Sequence, residues 1–155
     1  MTANQSCTKF IPEELYDAIL MYMPIVCVDI AIMFQNTALL VRRKEPPAKD
    51  QWWLPGGRVF KGETMREAAR RKAREEVGID CHVGEMIHTA ETIFPDGPRD
   101  IPVHSVNICF LATPISCRFS PRPDEHHHEY KWTESVPAGL HEYVEKCLMA
   151  AGLKC

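Results

Sequence analysis

The stretch GRVFKGETMREAARRKAREEVGI, from Gly57 to Ile79, constrains this chain more than any other. Its second half carries the grammar of a helix. Thr64 stands at an N-cap position, and Glu67 follows three residues on, where a capping-box acid reaches back to the free N–H. Ala68, Ala69 and Ala73 are strong helix formers, and no Pro or Gly interrupts until Gly78, which supplies a left-handed stop. Met65, Ala69, Ala73 and Val77 recur every fourth residue, which predicts the stripe that faces a core. Lys72, Glu75 and Glu76 stand at i, i+3 and i+4 and share a neighbouring face. Ahead of the helix, Pro55-Gly56-Gly57 predicts a loop whose backbone approaches a ligand closely, because neither glycine carries a Cβ. Glu63 sits at the loop–helix junction. This arrangement suits Mg²⁺ bound to a diphosphate, since that ion takes one or two carboxylates plus the phosphates themselves. A surface helix laced with ion pairs would account for the charges, but not for the glycines or their spacing.

Composition bounds the rest. A chain of 155 residues, 45% hydrophobic and 25% charged, reads as one domain over 1–155, with residues 1–10 polar and loose. A net charge of −3 gives no electrostatic argument for nucleic acid or an anionic membrane. The seven cysteines form no CxxC pair, and several sit in apolar runs where a reduced thiol packs as a small hydrophobe. No signal peptide opens the chain and no apolar run approaches the length of a membrane span. These features predict a cytoplasmic setting with reduced thiols.

Along the chain, a short helix is expected from Pro12 to Met21, then a buried strand Ile25–Phe34 with Asp29 as its odd residue. Gln35-Asn36-Thr37 turns the chain into a second strand, Ala38–Arg42. After the central helix, strands are expected at Cys81–His88, Val103–Ala112 and Tyr130–Trp132, with a closing helix Leu140–Ala151. Strands and helices mix without βαβ regularity, so the fold class is α+β, an α/β/α sandwich around a mixed β-sheet. Trp52, Trp53 and Trp132 read as core or interface residues before base-stacking ones, and His88 and His104 as packed strand residues. The run Asp124-Glu125-His126-His127-His128-Glu129 admits a solvated loop, a metal-binding tract or a catalytic base.

The central stretch resembles the signature of the Nudix hydrolases at Gly57, Glu63, Arg71, Ala73, Glu75, Glu76, Gly78 and Ile79. One position departs: Lys72 stands where that signature has Glu. A lysine there repels each unit of charge on Mg²⁺ by roughly 4 kcal/mol at 4 Å and an effective dielectric near 20, or about twice that for the divalent ion. The wider pattern resembles the GDP-mannose mannosyl hydrolase branch, which also lacks that Glu. The match runs from Pro24–Asp29 through Arg42-Arg43 and the Gly-Gly-Arg-Val loop after Trp53 to Pro123-Asp124-Glu125, His127, Tyr130 and Trp132.

The resemblance implies water attack at the anomeric carbon of a nucleoside diphosphate sugar, with inversion. By position, the Gly56 carbonyl and Glu76 would ligate Mg²⁺ (or Mn²⁺), with His126 where the branch has a Gln ligand. His127 would be the general base, and an unperturbed pKa of about 6.5 suits that task. Arg58 and Arg43 would hold the diphosphate and stabilise the leaving nucleotide, Arg71 would orient the carboxylates, and Asp29 matches an acid at the substrate site. Ser105 replaces a Tyr of the branch. Glu75 restores a Nudix acid that the branch can lack and favours ordinary phosphorus chemistry. The resemblance also implies a homodimer and a small-molecule nucleotide-sugar substrate. Two further readings stay open: a pyrophosphatase attacking phosphorus with Glu75 and Glu76 on the metal, and a catalytically silent nucleotide-binding domain.

Overall fold

A computed structural model describes residues 10–122, 124, 125 and 127–155, without the side chains of His127 and His128. The His126 metal-ligand assignment and Pro123 lie outside the described residues, as does most of the segment expected to be loose. The elements are α1 (Glu13–Tyr22), β1 (Ile25–Phe34), β2 (Thr37–Arg43), β3 (Trp52–Trp53), β4 (Gly56–Arg58), α2 (Met65–Val77), β5 (Cys81–Phe94), β6 (Val103–Pro114), β7 (His127–Thr133) and α3 (Glu142–Ala150), with a short 3₁₀ turn at Pro98–Asp100.

β1 organises the sheet. It runs parallel to β6 along Ile25–Ile32, pairs antiparallel with β4 through Cys27–Asp29, and pairs with β2 only at Met33 and Phe34. The order β3-β2-β1-β6-β5, with β4 on β1 and β7 on β2, makes a mixed sheet of seven strands. Strand periodicity then sorts the side chains between two helical layers. Val28, Ile30, Ile32, Leu39 and Val41 pack with Ala68, Ala69, Ala73 and Val77 of α2. Ala31, Ala38, Leu40 and Cys109 pack with Tyr143, Val144, Cys147 and Leu148 of α3 on the other face. The architecture is the expected α/β/α sandwich.

α2 begins and ends as its residues dictate. Thr64 and Glu67 form the reciprocal capping box, and Gly78 closes the helix in the left-handed region at φ 67°. Met65 corrects the predicted stripe: it is exposed, and Ala68 joins Ala69, Ala73 and Val77 as the buried face. β5 runs six residues past its expected end at His88, to Phe94, since β6 offers pairing partners along that length, from Cys81 opposite Pro114 to Phe94 opposite Val103. The expected glycine loop is also a strand. Gly56 and Gly57 pair with Asp29 and Val28, and a Cβ on Gly56 would lie 2.6 Å from Asp29 Oδ1, so only glycine allows that approach. His104 is not packed: its ring is partly exposed and faces Glu91 Oε2 at 3.0 Å. Trp53 is buried, whereas Trp52 and Trp132 lie partly buried against the two cores.

Candidate active site

β4 is a thin wall with chemistry on both sides. On the α3 side of the sheet lies a cavity of about 200 Å³, whose lining includes Cys27, Asp29, Arg43, Trp53, Arg58 and Asn107. On the α2 side stand the carboxylates of the central helix. Gly56 touches both: it lines the cavity, and its N–H donates to Glu76 Oε2 at 2.9 Å.

Asp29 is the floor of the cavity. Its odd-numbered register on β1 turns it away from α2, and three donors from three different elements converge on it. Trp53 Nε1 donates to Oδ1 at 3.3 Å, while Tyr143 OH and Asn107 Nδ2 donate to Oδ2 at 2.9 and 3.2 Å. A carboxylate offers only acceptors, so the match is complete. Burial nevertheless raises its pKa from the usual 3.8 to about 6, against the lowering effect of the Tyr143 and Trp53 hydrogen bonds and of Arg43. A raised folded-state value means that the native protein binds the proton more tightly than the unfolded chain. Asp29 therefore favours folding below about pH 4, and that contribution is lost as pH rises through about 6. The size is about 3 kcal/mol. Asp29→Asn should remove this pH dependence from urea-unfolding curves. Above about pH 6, where the native carboxylate is ionised and accepts from all three donors, the amide NH₂ must face one of them, a mismatch of about 1–3 kcal/mol.

The two arginines expected at the diphosphate both line the cavity. Arg43 is held by its Nε donating to the Pro47 carbonyl at 2.7 Å. The Arg58 guanidinium lies over the Tyr16 and Phe60 rings at 5.5 and 4.8 Å, which stacks it between α1 and the segment before α2. Arg71 does not reach the cavity. It makes a bidentate pair with Glu63 (3.0 and 2.5 Å), bonds Glu75 at 3.1 Å and the Arg58 carbonyl at 3.0 Å, and covers the Phe60 ring at 3.7 Å. Burial pushes the Glu63 carboxyl up, but Arg71 and the Phe60 N–H outweigh it and hold the group below the usual range. Arg71 is thus the strut between α2 and the segment after β4. Arg71→Lys keeps the charge and loses the fork, so a loss of about 1–3 kcal/mol in denaturant titration is expected.

Lys72 is the departure that sequence alone could name but not place. Its Nζ sits 2.8 Å from Glu76 Oε1 and 3.8 Å from Glu75 Oε2, with both Lys72 and Glu76 largely buried. Its stem runs directly beneath β4: a Cβ on Gly57 would fall 2.6 Å from Lys72 Cε. Ser105 donates to or accepts from Thr92 at 2.8 Å in the cavity wall.

The histidine segment is tied to α2 by backbone. Arg122 N–H donates to the Val77 carbonyl at 2.8 Å and Asp124 N–H to the Glu76 carbonyl at 3.0 Å. The chain then enters β7, where His127 is paired with Arg43 of β2. The His127 side chain itself lies outside the described residues. Sequence reasoning missed Tyr143, Trp53 and Asn107 as partners of Asp29, and Tyr16 as the seat of Arg58; each comes from a distant element with no local signal.

The oxygen donors here suit a divalent ion only in company. Among the described residues no group of three His, Cys, Asp or Glu side chains is close enough to hold a metal. Glu75 and Glu76, with the Gly56 carbonyl, are hard ligands of the kind and number that Mg²⁺ takes when phosphates complete its shell.

The NUDIX domain family matches residues 23–144, most of the chain. The protein belongs to the Nudix family. It is 34% identical over 146 residues to the low-salt glycan biosynthesis protein Agl8 of Haloferax volcanii, covering 92% of each chain. It is 32% identical over 128 residues to an ADP-ribose pyrophosphatase of Methanocaldococcus jannaschii, covering 81% of this chain and 73% of that protein. Among solved structures, a MutT Nudix hydrolase from Burkholderia pseudomallei superposes with a TM-score of 0.70 at 27% identity, over 83% of this chain and 98% of the other. The Nudix fold of this chain therefore has hydrolases of small nucleotide substrates among its relatives. No helix among its described residues is long and apolar enough to cross a membrane.

Proposed function

We propose that this Nudix protein hydrolyses a nucleoside diphosphate sugar of the GDP-mannose type, by water attack at the anomeric carbon, releasing a nucleoside diphosphate and free sugar. The observation that carries the reading is Lys72 against Glu76. An ammonium packed on the helix carboxylates removes the place from which an acid of α2 would activate water against phosphorus. The backbone pairing of His127 with Arg43, a residue of the cavity lining, supports a base on the histidine segment. Similarity to a protein named for glycan biosynthesis supports a sugar nucleotide as substrate.

In this reading Arg43 and Arg58 grip the diphosphate at the cavity, and their charge stabilises the nucleotide as it leaves. His127 takes a proton from the attacking water. Arg71 holds Glu63, Glu75 and the Arg58 backbone in register. Glu76, Glu75 and the Gly56 carbonyl would hold Mg²⁺ or Mn²⁺, which supplies charge neutralisation at the diphosphate. The working form is a homodimer in the cytoplasm.

Product analysis tests the reaction. Incubation with GDP-mannose should yield GDP and mannose; GMP and mannose 1-phosphate would instead identify a pyrophosphatase, the reading that similarity to an ADP-ribose pyrophosphatase favours. Lys72→Glu distinguishes the two further. If the base is on the histidine segment, restoring an acid on α2 should leave turnover of nucleotide sugars unchanged or lower. A gain of more than tenfold would favour phosphorus attack.

A further inference from the structure

We propose that Lys72 is a tethered cation that competes with the divalent ion for Glu76, so that the ion enters this site together with a diphosphate and not ahead of it. The inference rests on the ion placement proposed above. Both oxygens of Glu76 are already engaged, Oε1 by Lys72 Nζ at 2.8 Å and Oε2 by the Gly56 N–H at 2.9 Å. Glu75 Oε2 is shared between Arg71 at 3.1 Å and Lys72 at 3.8 Å. Glu63 is bound by Arg71. Each carboxylate that faces the site therefore has a protein cation within 4 Å, and the metal must displace one of them.

The ammonium is fixed there by packing as well as by charge. The missing Cβ of Gly57 leaves the space that Lys72 Cε and Nζ fill, and the lysine is mostly buried. A diphosphate changes the balance, because its negative charge offsets the repulsion between the ion and Lys72 and its oxygens fill the coordination shell.

Mn²⁺ binding to the nucleotide-free protein, followed by the electron paramagnetic resonance of the free ion, tests this without reference to turnover. Lys72→Met and Lys72→Gln should each bind Mn²⁺ about 10- to 100-fold more tightly than the native chain, the range expected for releasing a charged hydrogen-bonded partner. Adding Glu76→Gln to either variant should abolish the gain, which a merely structural role for Lys72 would not predict. Addition of GDP should tighten Mn²⁺ binding in the native chain far more than in Lys72→Met. Affinities within twofold of each other in the native chain and both single variants, or no Mn²⁺ binding in any, would overturn the proposal. The product analysis described above is independent: GMP and mannose 1-phosphate there would refute the sugar-carbon reaction and leave the Mn²⁺ result standing.

Discussion

Glu76→Gln should reduce turnover by several orders of magnitude, far beyond the moderate fall in melting temperature expected from unpairing Lys72, with a cooperative unfolding transition retained. Glu76 is buried at the edge of the α2 core stripe, and it bridges two layers by accepting the Gly56 N–H and the Lys72 ammonium. A glutamine keeps the volume and an acceptor for one of these two donors, but its NH₂ must face the other and Lys72 loses a buried counter-charge, so stability falls while the fold is kept. What it loses is the formal charge, and a neutral amide is a poor ligand for a hard cation. The neighbouring Lys72 makes this worse, since it would stand beside the ion without its counter-charge. Steady-state rates across a Mg²⁺ titration, together with thermal unfolding, separate the two effects. Near-native rates at saturating Mg²⁺ would remove Glu76 from the metal site.

His127→Gln should lower turnover on GDP-mannose by about 10²- to 10⁴-fold, the usual contribution of a positioned general base. The loss should fall mainly on kcat, because Arg43 and Arg58, not His127, are proposed to hold the diphosphate. The native pH–rate profile should show an ascending limb that reports the base, and the variant should lack it. His128→Ala should have a far smaller effect, since His127 alone is proposed as the base. Similar small effects at both positions would mean that the segment is a solvated loop end with no part in the chemistry.

Much of the fold was legible because the determinants are local. The Thr64–Glu67 box, Gly78 and the alanine stripe specify α2 within a few turns, and the β-branched run Ile25–Phe34 specifies the central strand. Met65 misled because helical spacing says which side a residue takes, not whether another element covers it there. The glycine pair was correctly read as permitting close approach, yet its partner was the protein's own strand at Asp29. At the candidate site, the charged residues of one segment were visible and their pairings were not. Tyr143 reaches Asp29 across more than a hundred residues of chain, and only the topology brings α3 under β1. Lys72 shows the same limit from the other side: its spacing announced contact with Glu76, but not that the contact would be buried beneath Gly57.

The central claim is the atom that water attacks, and isotope placement tests it most directly. GDP-mannose hydrolysed in oxygen-18 water should give mannose carrying the label at its anomeric oxygen and GDP carrying none, read by mass spectrometry of both products before the free sugar exchanges. Label in the GDP phosphate, or in GMP or mannose 1-phosphate, would place the attack on phosphorus and contradict the account.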